Sequence, residues 1–307
     1  MNKPETISLY KFFKQIPDEE ASRLYFENKR WSGTPVCGHC GSSNVSECKD
    51  HKPMAYRCKD CRKHFSVRTG TVLAESRLGL HKWLMAIYMM TTARKGTPST
   101  LLARELGITQ KSAWFLSQRI RETWLGGSDD SDTGDHVQVD ECYIGGKESK
   151  KDASQILNKG RGAVGKALVI GLRDENGMVK AKVVINTTKK ILHRFIGEHV
   201  AKGSTVVTDS FGGYNGLTGC NHITVNQKEG QYVKDMAHTK GIESFWALLK
   251  RGYIGVYHYM SVKHLDRYVN EFSFRHNTLK ISTMDLIEMT INNTDNKHIT
   301  YKELIYA

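Results

Sequence analysis

The chain lacks any apolar run long enough to cross a bilayer. Its longest, Leu84–Met90, falls far short of the ~20 residues a membrane helix needs. The N-terminal segment MNKPETISLYKFFKQIPDEE has no apolar core of the kind a secretory leader carries. These two absences lead us to expect a soluble, cytoplasmic protein. Cysteine is sparse, seven in 307 residues, and four of the seven stand in close pairs. That usage is unlike a secreted disulfide scaffold and fits a reducing compartment. Internal repeats and low-complexity tracts are also missing. Acid is in deficit: 32 Asp and Glu against 45 Lys and Arg, for a net charge of +13 and a pI near 9.3. Such a surplus favours a polyanionic partner through counterion release and long-range attraction. Charge alone is also compatible with a basic protein that has no nucleic-acid role. With 39% hydrophobic residues the chain can build at least one sizeable core in two or three compact units.

What is present falls into segments. Residues 1–32 read as short helices, with PDEEASRLYFENKRW opening on proline and acids as a helix N-terminus prefers. Residues 33–70 are rich in Gly, Cys, Ser and Lys without long periodicity, and 76–125 return to helical periodicity. GGSDDSDTGD at 126–135 is Gly/Ser/Asp-rich and locally acidic, the composition of a linker. Strand-like runs follow at HVQVDECYI, ALVIGLRD, KAKVVINTT, STVVTD and HITVNQ, with DENG at 174–177 as a hairpin turn, and KKILHRFIGEHV reads as a helix. Helices close the pattern at 238–251 and 261–277. The order β-β-β-α-β-(α)-β-α is that of an RNase H-like α/β domain over 136–280, with 281–307 left as a C-terminal tail.

Cys37-Gly-His-Cys40 and Cys58-Lys-Asp-Cys61 are two CxxC pairs with 17 residues between them, the spacing of a four-cysteine zinc ribbon. Each two-residue spacing points both sulfurs at one ion, and Gly41 suits the sharp turn after the first pair. One Zn2+ would replace the core that so small a segment cannot supply. His39, His51 and His64 are read as solvated or DNA-facing, and Cys48, Cys142 and Cys220 as buried or half-buried thiols.

STLLARELGITQKSAWFLSQRIRE (99–122) reads as helix, glycine turn, helix, with Gly107 at the stop and Thr109 as the next cap. Residues 77–121 hold eight Lys/Arg against the single acid Glu105. In a DNA-binding helix-turn-helix, Gln110, Lys111 and Ser112 would enter the major groove. An ordinary helical hairpin with a basic solvated face would show the same pattern.

Three acids stand in informative settings: Asp140 in VQVDECYIGGK, Asp209 in STVVTDSFGGY and Glu243 in HTKGIESFWALLKRG. Two strand carboxylates and one helix carboxylate that converge can hold two Mg2+ (or Mn2+), and such a pair cuts and joins phosphodiesters. Strand alternation sends Asp140 and Glu141 to opposite faces, which makes Glu141 the poorer ligand. Asp174, Glu175, Glu229 and Asp235 read as solvated turn or loop residues. On the last motif Ile242, Phe245, Trp246 and Leu249 form a core stripe, and Glu243, Ala247 and Lys250 an adjacent one, with Lys250 two turns along from Glu243. His238 stands where it could touch a phosphate or cap the helix. Residues 145–166 carry six Lys/Arg against two acids and read as a DNA-facing insertion or a solvated basic loop.

YRCKDCRKHFSVRTGTVL, VDECYIGGK, TDSFGGY, HTKGIESFWALLKRGYIGVYH and HLDRYVNEFSFRHN together resemble insertion-sequence transposases of the DDE superfamily, in the branch with an N-terminal zinc ribbon and an ISXO-type catalytic domain. The resemblance spans roughly residues 30–280. It implies that Asp140, Asp209 and Glu243 are the metal-binding triad and Lys250 the accompanying basic residue. It also implies that the chain acts as an oligomer assembled on double-stranded DNA, with terminal inverted repeats and target DNA as substrates. Many members carry Asn where Lys240 stands, and in some that Asn is taken as a metal ligand. A charged lysine cannot ligate Mg2+, which leaves Glu243 for the third position. Two other functions share these features: a DNA-binding regulator whose catalytic domain has decayed, and a nuclease of the same fold that cuts without joining.

Overall fold

The computed structural model describes residues 5–48, 50–125, 133–145, 165–225 and 239–306. The chain divides into two compact units, one of residues 1–127 with 278–307, the other of 128–277.

The first unit opens on α1 (Leu9–Gln15) and α2 (Glu19–Trp31), capped by Ser8 and Asp18, whose side chains accept from Lys11 N and Ala21 N at 3.3 and 2.8 Å. A three-stranded antiparallel ribbon follows: β1 (Val45–Glu47), β2 (Tyr56–Cys58) and β3 (His64–Phe65). It is too small for a core of its own, and its Tyr56 and Phe65 rings pack edge-on against Trp31 of α2, centroids 5.4 and 6.0 Å apart. Next comes α3 (Leu80–Thr92), which contains the chain's longest apolar run and buries Trp83, Leu84, Ala86, Ile87, Tyr88 and Met90. It is a core helix, and no helix among the described residues is long and apolar enough to cross a membrane.

Helices α4 (Ser99–Leu106) and α5 (Gln110–Thr123) are joined as the sequence suggests. Gly107 adopts φ +58°, which ends α4 at little steric cost, and the Thr109 hydroxyl caps α5 by accepting from Ser112 N at 3.2 Å. Segment 76–125 is nonetheless not distinguishable as a discrete helix-turn-helix subdomain. The segment 278–307, set apart in the sequence as a tail from residue 281, carries α9 (Thr283–Asn292) and α10 (Tyr301–Tyr306), which pack into this unit. The Trp124 indole donates to Thr290 Oγ1 at 3.1 Å, and Lys297 Nζ donates to the carbonyls of Glu122, Thr123 and Leu125 at 2.9, 3.2 and 2.8 Å. A cation thus satisfies the free carbonyl end of α5, where the helix dipole favours positive charge.

The second unit is a five-stranded mixed sheet in the order β6-β5-β4-β7-β8. β4 (His136–Ile144), β5 (Ala167–Asp174) and β6 (Val179–Val184) form an antiparallel meander, while β7 (Thr205–Thr208) and β8 (Asn221–Thr224) run parallel to β4. The β5–β6 hairpin closes as DENG predicts, with Gly177 at φ +88°. Asp174, expected to be solvated, is buried there instead, because its Oδ1 accepts from Met178 N at 2.7 Å and holds the turn. β5 reads as an unbroken apolar run because it is covered on both faces. On one side α6 (Lys189–His199) sends Leu192, Phe195 and Ile196 onto Val137, Val139, Ile170, Leu172 and Val206. On the other, α7 (Lys240–Gly252) and α8 (Val262–Asn277) pack Ile242, Phe245, Trp246, Leu249, Leu265, Val269 and Phe272 against Cys142, Val169 and Val179. Strand order and layering are consistent with an RNase H-like domain. The helix in parentheses of the sequence pattern is a single 3-10 turn, Gly212–Tyr214. Of the expected linker, 126–132 lies outside the described residues, as does 146–164 of the basic insertion.

Candidate functional site

The four cysteines meet as their spacing predicts. Their sulfurs lie within 4.8 Å of one another, with Cys37 Sγ 3.7 Å from Cys61 Sγ and Cys40 Sγ 3.6 Å from Cys58 Sγ. A tetrahedron of sulfurs about 2.3 Å from one zinc ion has edges of about 3.8 Å, so the cluster has the dimensions of a structural zinc site. Backbone N–H groups of His39 and Cys61 point at Cys37 Sγ and Cys58 Sγ at 3.4 and 3.5 Å, and these donors favour thiolate. Gly41 takes φ +76° at the first knuckle, and Gly38 lies so close to the Thr69 carbonyl that no side chain would fit. The histidines stay out of the cluster: His51 stacks on His64 with centroids 3.9 Å apart, and His39 Nε2 contacts the His64 carbonyl at 3.2 Å.

The acids of the second unit occupy the middle of the sheet. Asp140 faces the α7 layer. Its strand partner across β5 is Gly171, and a Cβ there would come within 2.6 Å of the Trp246 ring. The absent side chain lets the indole lie on β5, and Trp246 Nε1 donates to Asp140 Oδ2 at 3.0 Å. Gln138, on the same face, accepts from Ile242 N at 3.1 Å and ties the first turn of α7 to β4. Glu141 faces the opposite layer, where the buried Tyr214 hydroxyl donates to its Oε2 at 2.6 Å. Asp209 follows β7. The parallel register sets Gln138 opposite Val207, which brings Asp209 to the level of Asp140. Asp209 Oδ1 accepts from Phe211 N at 2.9 Å, starting the turn that delivers Tyr214.

These acids crowd one another. Burial first, then the negative charges of Glu141 and Asp209, push the Asp140 carboxyl up to about 7. Burial also holds Glu141 above the usual carboxylate range, against the pull of Tyr214. Glu243 is exposed in the first turn of α7 and its Oε1 accepts from Thr239 Oγ1 at 2.9 Å. Lys250, two turns on, lies near the thiol of Cys142 on β4. Burial pushes that thiol up to about 11 against the opposing pull of the ammonium. Among the described residues, only the four cysteines form a group of three or more potential ligands within 4.8 Å of one another. Asp140, Asp209 and Glu243 are not gathered that tightly. His238, Glu229 and Asp235 lie outside the described residues.

Sequence reasoning missed the partners of the acids. Trp246 is read from the sequence as core stripe only, yet it and Tyr214 each hold one acid of β4, from opposite faces of the sheet. The basic helices differ from expectation too. Of the eight Lys/Arg in 77–121, Arg119 and Arg121 are buried, at 3% and 1% exposure. The Arg119 guanidinium lies over Trp83 and Phe115, 5.3 and 5.1 Å from their centroids, and burial pulls its pKa down to about 10. At the start of α5, Lys111 Nζ sits 4.5 Å from the Tyr301 ring centroid, and Gln110 donates to Ser99 Oγ at 2.9 Å.

Comparison with known proteins bears on both units. Residues 132–277 match the ISXO2-like transposase domain, and residues 17–64 match the transposase zinc-ribbon domain. A curated relative, described as an uncharacterized protein in transposable element ISH50 of Halobacterium salinarum, is 28% identical over 262 residues. The match covers 80% of this chain and 86% of the relative.

Proposed function

The chain belongs to the DDE transposases that join an N-terminal zinc ribbon to an ISXO2-like catalytic domain, and on that premise we propose that it cuts and joins the DNA of its own insertion element. The observation that carries the reading is the crowding of Asp140, Glu141 and Asp209 at neighbouring strands of the sheet, beside a helix that presents Glu243 and Lys250. Carboxylate oxygens without a cation among them are a hard-ligand set, suited to Mg2+ or Mn2+. Asp140, Asp209 and Glu243 would hold two such ions, and the pair supplies charge stabilisation to the attacking and leaving oxygens of a phosphoryl transfer.

The chain's own residues have separate tasks. Trp246 fixes Asp140 by its indole N–H, and the turn at Phe211 fixes Asp209. Gln138 pins the start of α7, so that Glu243, on its first turn, keeps its height over the sheet. Lys240 occupies the first position of α7, where a cation cannot serve as ligand, and the third place goes to Glu243. Lys250 sets a positive charge on the same side of the sheet as Asp140, where a scissile phosphate would lie. Water attacks first; the freed 3′ hydroxyl then attacks target DNA at the same residues, and no covalent bond to the protein forms. The zinc ribbon and the α4–α5 pair would select the terminal inverted repeats, and joining two ends calls for more than one copy on the DNA.

The test is a cleavage and joining assay with Mg2+ on a plasmid carrying the DNA that flanks the gene. Cleavage followed by strand transfer, lost in Asp140→Asn, Asp209→Asn and Glu243→Gln, supports the reading. Cleavage without joining points to a nuclease, and tight binding of the ends with no chemistry points to a regulator.

A further inference from the structure

Beyond α7 the second unit builds a rigid knob. Tyr253–Tyr257 form a π-helical turn, and Tyr259 N then donates back to the Tyr257 carbonyl at 2.6 Å. Between them His258 takes φ +58°, a left-handed conformation that a non-glycine residue keeps only when its surroundings enforce it. The enforcement is visible. The Tyr257 hydroxyl donates to Glu271 Oε1 at 2.8 Å, Glu271 is fully buried, and Arg275 pairs with it at 2.5 Å. The Tyr257 ring meets Tyr268 edge-on at 4.9 Å, and Met260 is buried at 4% exposure. At the base Gly252 abuts the Phe272 ring so closely that no Cβ would fit. Upon this base Ile254, Tyr259 and Val262 stand 69%, 71% and 64% exposed, with Tyr253 half-buried close to Tyr259.

Exposed apolar and aromatic side chains on one short, firmly anchored segment mark a contact surface, and the charge along that segment selects the partner. Residues 250–263 include Lys250, Arg251, His258 and Lys263 and not one acid. The cations and the Tyr259 hydroxyl suit phosphates, but the aliphatic side chains of Ile254 and Val262 gain nothing from them; these side chains and the phenol ring gain from the faces of bases. We propose that Ile254, Tyr259 and Val262 form a wedge that inserts against the bases beside the scissile phosphate and unstacks them. The proposal rests on the transposase reading for its position: Ile254 is four residues, about one helical turn, beyond Lys250. The rigid base matters because a floppy wedge would lose in ordering entropy what it gained in stacking.

The test uses the full chain loaded with zinc and duplexes drawn from the DNA flanking its gene, with 2-aminopurine scanned through the outermost base pairs. Wild type at saturation should raise the fluorescence at one or two adjacent positions. Tyr259→Ser and Ile254→Ser should abolish that rise and weaken binding roughly tenfold or more. Because both side chains are exposed, their melting temperatures should match wild type. An unchanged signal in both variants, with unchanged Mg2+-dependent cleavage, overturns the wedge and leaves the transposase reading intact. A wild-type signal without any cleavage overturns the transposase reading while supporting base contact by the knob. Self-association without DNA that Tyr259→Ser disrupts, together with no fluorescence rise, overturns the wedge and assigns the knob to a second copy.

Discussion

The cysteine cluster and the acidic cluster are both gatherings of potential ligands, and they are built in opposite ways. The cysteines come from two tight knuckles with two residues inside each pair, so local chain geometry gathers the sulfurs two by two and the short β1–β2 pairing brings the pairs to tetrahedral spacing. Backbone N–H groups already face the sulfurs. The acids come from a strand, the turn after another strand and a helix, and their ligand atoms remain apart with Glu243 exposed. A structural metal site gains from being closed, because its ion substitutes for a missing core. A catalytic site must stay open to substrate, and the repulsion of like charges is left in place for cations to relieve.

The comparison breaks most severely at the ribbon. Cys58→Ser should release zinc and unfold the segment around β1–β3, since zinc-binding energies of about 10–16 kcal/mol in small domains far exceed what three short strands supply. Metal content per chain and proteolysis within 33–70 check it; retained zinc with an intact ribbon would count against the closed site.

The acidic cluster should show the reverse sign. Asp140 has its folded pKa raised from 3.8 to about 7, so the stability it confers is fully present below pH ~4 and lost as pH rises to about 7. In metal-free protein, Asp140→Asn should therefore be stabilising above pH 7, by up to ~4 kcal/mol, and nearly neutral at pH 4. Urea titrations at the two pH values measure this. Equal effects at both would mean that the acids are not crowded.

Smaller effects separate the two faces of β4. Tyr214→Phe leaves the half-buried Glu141 without its hydroxyl donor and should cost about 1–3 kcal/mol. Glu141 needs that donor most when ionised, so the loss should be greater at neutral than at acid pH. Trp246→Phe removes the N–H to Asp140 together with part of a buried ring that lies on Gly171, costing about 1.5–3 kcal/mol. Beyond that loss of stability it should raise the Mg2+ requirement for cleavage, because Asp140 loses the donor that fixes it. Titrating cleavage against Mg2+ distinguishes the two variants.

Much of this was legible in the sequence because it is local. CxxC spacing, apolar alternation and the DENG turn each act within a few residues, and β4 and β5 begin and end at the residues the pattern suggests. Asp140 was legible as a candidate because a carboxylate is uncommon inside an apolar strand, whereas Glu243 stands in a helix's first turn, an ordinary place for an acid, and it took the resemblance of the motifs to mark it. The partners of the acids were not legible. Trp246 reaches Asp140 across 106 residues and Tyr214 reaches Glu141 across 73, and nothing in a helical stripe says which core residue also carries a hydrogen bond. Gly171 looks like a weak point in a strand until the indole above it is known. Arg119 and Arg121 look like a DNA-facing stripe, since periodicity cannot tell a cation packed on Trp83 from one in water. The C-terminal helices have little signal of their own; their place comes from Lys297 and Thr290 meeting the end of α5.

The central claim is that Asp140, Asp209 and Glu243 become one metal site when cations and DNA arrive. The most direct measurement counts Mn2+ bound per chain by electron paramagnetic resonance, in zinc-loaded protein complexed with the DNA flanking its gene. We predict two Mn2+ per engaged chain in wild type, with loss of one or both in Asp209→Asn and in Glu243→Gln while the zinc content stays at one. Unchanged Mn2+ stoichiometry and affinity in both variants would contradict the account.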